Sequence, residues 1–88
     1  MVILIMLYKR YIPVITLIGK EGEVTPVAII WEDINGPRTY KVDKVFNVHN
    51  AYSQVGGCGT LYECLILGRR RKLFFEHNRW FIECIKPN

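Results

Sequence analysis

No stretch of this chain longer than one or two turns places apolar residues at helical spacing, and β-branched and aromatic residues dominate between Gly, Pro and Asn punctuation. That pattern predicts an all-β domain. A first strand is expected from about Tyr8 to Ile18, with Pro13 marking an edge position or a bulge. Gly19–Gly22 turns into a second strand, Thr25–Asp33, and Asn35-Gly36-Pro37 turns into a third, Arg38–Val48. The apolar phase changes inside that third strand, from Tyr40 and Val42 to Val45, so a bulge or corner near Lys44 is expected.

The end of the chain can be registered from its turns. A two-residue loop at His77-Asn78 sets Glu76 against Arg79, Phe75 against Trp80 and Phe74 against Phe81, then Leu73 against Ile82 and Lys72 against Glu83. Every pair then matches aromatic with aromatic, aliphatic with aliphatic or acid with base. Asn and His also tolerate positive φ. Gly68-Arg69 as a second tight loop sets Cys64 against Leu73 and Tyr62 against Phe75. One face of this meander then carries Tyr62, Cys64, Leu73, Phe75, Trp80, Ile82 and Cys84, an apolar core face. The other carries Leu65, Phe74 and Phe81 among Glu63, Lys72, Glu76, Arg79 and Glu83. The expected architecture is an antiparallel meander curling into a small five- or six-stranded SH3-like barrel, with room for one short helical turn in the 49–59 connection.

With 88 residues the chain has length for one domain. It reads as a single β domain over residues 8–85, preceded by an apolar N-terminal extension or extra strand over residues 1–7. Lys9 and Arg10 follow that apolar run instead of preceding it, no small-residue cleavage site is present, and the run is far short of the ~20 residues that cross a bilayer. No membrane contact is expected. Cys58, Cys64 and Cys84 form no CxxC pair and are odd in number, which fits a reducing, cytoplasmic setting better than a disulfide framework or a zinc ribbon. No cofactor and no metal site is expected.

The net charge of +4 is uneven: residues 61–88 carry +3, largely from Arg69, Arg70, Arg71 and Lys72, while residues 25–37 carry −2. A basic hairpin tip contacts phosphate in some proteins and is a solvated turn in most. Next to it, the aromatic pair Phe74 and Phe81 on a mostly charged face must be covered or used: packed beneath the N-terminal segment, placed in a dimer contact, or given to a ligand. With Leu65, Lys72 and Arg79 these residues form the first candidate binding surface. Two uses compete. One is a protein contact or homodimer, making the chain a non-enzymatic interaction module. The other is single-stranded nucleic acid, stacked on Phe74 and Phe81 and held by the Arg69–Lys72 tip, against which Glu63, Glu76 and Glu83 weigh.

The second candidate lies in the connection His49–Gly59. Gly56, Gly57 and Gly59 permit backbone approach to an anion, but the phosphate-loop pattern with its Lys is missing. Cys58 is a nucleophile only with a base in reach, and His49 is the nearest imidazole in sequence. No orienting Asp or Asn is indicated, so no catalytic residue is assigned. Glu32 and Asp33 are adjacent in a strand and point to opposite faces, which excludes them as a paired acid and base.

The strings Trp31-Glu32-Asp33, Tyr40-Lys41-Val42-Asp43-Lys44-Val45, Gly56-Gly57-Cys58-Gly59 followed by Tyr62-Glu63-Cys64, and Leu73-Phe74-Phe75-Glu76 before Arg79-Trp80-Phe81 resemble a family of small uncharacterised proteins from Gram-positive bacteria. The resemblance covers roughly residues 12–84 and leaves the first seven outside. It implies a bacterial source, and the family has no assigned activity to carry over. One departure is the turn Ile34-Asn35-Gly36-Pro37, which is longer here than the bare Gly turn of that pattern.

Overall fold

The computed structural model describes residues 6–53, 56 and 58–86, with the side chains of Met6 and Lys86 left aside. Eight strands form two antiparallel sheets: β1 (Met6–Ile12), β2 (Val14–Ile18), β3 (Val24–Asp33), β4 (Gly36–Lys41), β5 (Lys44–Tyr52), β6 (Cys58–Ile66), β7 (Arg69–Glu76) and β8 (Arg79–Lys86). The larger sheet has the order β1-β8-β7-β6-β5 and the smaller β2-β3-β4. The all-β reading stands. No closed barrel is found among the described residues, because each sheet keeps two edge strands.

Two of the expected strands are in fact two strands each. Pro13 lies between β1 and β2, where the chain leaves the large sheet for the small one; its carbonyl still accepts the Ile30 N–H at 3.0 Å. Proline suits this place, since both strands it joins are edge strands. The phase change seen near Lys44 is the return crossing, through Val42 and Asp43, whose amides bond to Val27 and Leu65, one in each sheet. Strand β1 begins two residues before Tyr8 and pairs along its length with β8, from Met6↔Lys86 to Ile12↔Trp80. The expected extension therefore contributes its last two residues to the sheet, while residues 1–5 lie outside the described ones.

The core lies between the sheets. Ile12, Tyr62, Cys64, Ile66, Leu73 and Trp80 from the large sheet meet Ile29 and Val42, with Val14, Trp31 and Tyr40 packed against them. The hydroxyl of Tyr62 donates to the Val24 carbonyl at 2.8 Å, tying β6 to the start of β3. Arg10 ties β1 to β3. Its guanidinium stacks 3.6 Å over the Trp31 ring, and Nη2 donates to the Glu32 carbonyl at 2.6 Å.

The β7–β8 hairpin has the expected register over Phe74↔Phe81, Phe75↔Trp80 and Glu76↔Arg79, with His77 and Asn78 at φ 51° and 61°, but the expected pairs Leu73–Ile82 and Lys72–Glu83 do not form. The β6–β7 hairpin differs. Its loop is Leu67-Gly68, with φ 52° and 72°, so Ile66 faces Arg69 and Tyr62 faces Leu73. The expected pairing was displaced by two residues. An even displacement keeps every side chain on its face, so the core-face assignment survives the error in register.

Candidate functional site

Alternation along β7 and β8 places Phe74 and Phe81 on the face away from the small sheet, as expected, but the side chains are not exposed. Phe81 is 1% and Phe74 3% accessible. Their rings stack at 5.0 Å, and Leu61 and Ala51 complete a second small cluster. The covering comes from β1. Tyr11 meets Phe81 edge-on at 5.7 Å, Lys9 Nζ sits 4.6 Å from the Phe81 centroid while pairing with Glu76 at 3.3 Å, and Arg79 lies 3.5 Å over Tyr11. From the other edge, Ser53 Oγ donates to Glu83 at 3.3 Å, a reach from the end of β5 to β8 that requires a strongly curled sheet. Phe74 and Phe81 are thus a core, which corrects their reading as a ligand or dimer surface. Leu65 is half-buried, and Lys72 and Arg79 are exposed.

The second candidate is mostly strand. His49–Tyr52 belongs to β5 and Cys58–Gly59 to β6, with His49↔Leu61, Ala51↔Gly59 and Tyr52↔Cys58. These described parts hold no helical turn; Gly57, Gln54 and Val55 lie outside the described residues. Cys58 and His49 are both exposed, but the register puts them on opposite faces of the hairpin, so no thiol–imidazole pair forms. Gly56 is exposed at φ 102°. Gly59 has a packing role instead: a Cβ there would stand 2.6 Å from the Phe75 carbonyl oxygen. Cys64 is fully buried, and burial pushes its thiol up to about 11, an inert group at neutral pH. Among the described residues no three His, Cys, Asp or Glu side chains gather as metal ligands, and no helix is long and apolar enough to cross a membrane.

The most distinctive site lies between β7 and β8. These strands are equal in length, yet their ladder ends after three pairs. Beyond Phe74 and Phe81 they separate, and each keeps its outer neighbour: Arg69–Leu73 pairs with β6, Ile82–Lys86 with β1. A cleft of about 1070 Å³ opens there, lined by every residue from Arg69 to Phe74 and from Ile82 to Ile85. Consecutive residues of a strand point to opposite sides, so a wall made of all of them is a wall of main chain. Ile29, Trp31 and Tyr40 of the small sheet close one side, and Arg10 stands among them. Arg10, Arg69, Arg70, Arg71 and Lys72 line the cleft against one acid, Glu83. Arg69 and Arg71 face Ile66 and Cys64 across the ladder, on the side of the small sheet, while Arg70 lies on the far side, its guanidinium 4.2 Å over Phe46.

Sequence reading named Arg69, Arg70, Arg71 and Lys72 but joined them to the wrong aromatics. Trp31, Tyr40 and Arg10 went unassigned, because nothing local in sequence shows that the small sheet, or β1, comes to lie beside this tip. No family model matches the chain, and no curated protein or solved structure matches it either.

Proposed function

We propose that this protein is a non-enzymatic binding module that takes an anionic partner in the cleft between β7 and β8. The observation that carries this reading is the early end of the β7–β8 ladder, which leaves main chain, the aromatic rings of Trp31 and Tyr40, and five basic residues around one concave space. Such a space, apolar with a few polar groups convergent on it, is the usual form of a binding site. Of the three cysteines, Cys58 stands apart from His49, Cys64 is sealed in the core, and Cys84 is a half-buried thiol on the cleft wall.

Trp31 supplies a probe. Titration with a short poly-glutamate at low salt should change Trp31 emission over a constant background from Trp80 buried in the core, and the Arg69→Glu, Arg71→Glu double variant should weaken binding about tenfold. Emission unmoved at millimolar ligand overturns the reading. The nucleic-acid alternative retains its basic tip but loses its stacking platform, since Phe74 and Phe81 are covered. A short oligo-dT in the same titration tests it. Self-association through the Phe74 and Phe81 face likewise lacks an exposed surface there.

A further inference from the structure

We infer that the cleft between β7 and β8 takes an extended peptide segment of alternating apolar and acidic residues as an added strand, an inference that rests on the cleft being the binding site. Among the described residues, Arg69–Leu73 and Ile82–Lys86 are strand residues with a ladder on one side alone: β6 for the first, β1 for the second. Backbone N–H and C=O groups are obligatory hydrogen-bonding groups, and a strand with one free edge presents a row of them. Here two such rows line one cleft. An inserted strand satisfies both rows at once and restores a continuous sheet. Because β7 and β8 run antiparallel, the insert runs antiparallel to one and parallel to the other.

The side-chain chemistry fixes the partner's class. Alternate residues of an inserted strand point toward the small sheet and away from it. On the inner side they meet the half-buried Trp31, Tyr40 and Ile82, with the buried Ile29, Ile66 and Leu73 behind them, which favours apolar residues there. The rim is basic on both sides of the insert, with Arg69 and Arg71 toward the small sheet and Arg70 and Lys72, across from Glu83, away from it. Acidic residues match that rim. Main-chain pairing gives the affinity and the alternate positions give the selectivity, as in other strand-addition recognition. A nucleic acid offers the charge but no donor–acceptor row to continue the sheet.

The test uses the full chain and a short capped peptide of alternating valine and glutamate, compared with the same peptide N-methylated at alternate amides, with a valine–lysine counterpart and with oligo-dT. Binding is followed by Trp31 emission and by amide hydrogen exchange. The expected result is binding of the acidic peptide, loss of about tenfold or more on N-methylation, no binding of the lysine peptide, and slowed exchange at Arg69–Leu73 and Ile82–Ile85. Binding that moves Trp31 emission but is indifferent to N-methylation overturns strand addition while leaving the cleft as an anion-binding site. Binding of oligo-dT in preference to the peptide overturns the peptide assignment in the same way. Silence of the cleft toward every ligand overturns both readings.

Discussion

Leu67 is the residue whose backbone and side chain agree least. It holds φ 52° in the β6–β7 turn and is 69% exposed, so it bears the cost of a left-handed conformation without the return of burial. Asn-Gly is the preferred pair for such a turn. Leu67→Asn is therefore expected to stabilise the fold by about 1 kcal/mol, a gain of several degrees in Tm for a domain of this size, readable by urea denaturation. Gly59 predicts the opposite sign. Its Cβ would collide with the Phe75 main chain, which cannot swing away as a side chain can, so Gly59→Ala should cost about 1–3 kcal/mol. At Cys64 the folded thiol titrates near 11 against an ordinary value of 9.0, so the folded state holds the proton more tightly. Its contribution is complete below pH 9 and is lost as pH rises towards about 11. Tyr62, also raised by burial and by the neighbouring Cys64, adds to the loss in the same direction. Denaturant midpoints taken between pH 8 and 11 should fall more steeply for the native chain than for Cys64→Ala.

Elements explain which parts of this arrangement were readable beforehand. The β7–β8 register was legible because a two-residue loop of Asn and His leaves little freedom and the three facing pairs are chemically matched. The β6–β7 loop was misplaced by one residue because glycine is the natural first position of a tight turn, and a leucine at positive φ is uncommon. The fate of Phe74 and Phe81 was legible only as one of three alternatives, cover by the N-terminal segment, with nothing to favour it over a dimer contact or a ligand. The groups that cover them, Lys9 and Tyr11, belong to β1, which the sequence offers no reason to place beside β8. For these rings burial makes a clear prediction: Phe81→Ala should cost about 3–5 kcal/mol in urea denaturation, whereas a surface stacking residue would cost almost nothing. The same pairing of β1 with β8 leaves the far half of β8 apart from β7, and that separation, too, is invisible to a residue-by-residue reading.

The whole molecule is elongated, with extents of 52 × 32 × 23 Å and a radius of gyration of 13.9 Å, against about 12 Å for a compact chain of this size. The edge strand β2 of its small sheet exposes Ile15, Leu17 and Ile18. An apolar edge of this kind invites pairing with another chain. Leu17→Lys should raise the protein concentration at which light scattering grows, while changing stability by less than about 0.5 kcal/mol.

The two crossings at Pro13 and Val42–Asp43 make β2, β3 and β4 an excursion from the larger sheet, which the chain leaves after β1 and rejoins at β5. Main chain from β7 and β8 lines two sides of the cleft, whereas Ile29, Trp31 and Tyr40 all belong to the excursion. Grip and choice are thereby divided between separate segments. A change in which side chains greet a guest is therefore to be sought within residues 14–41, provided Val14, Ile29, Trp31 and Tyr40 still close the core, while the strand edges that hold it lie elsewhere.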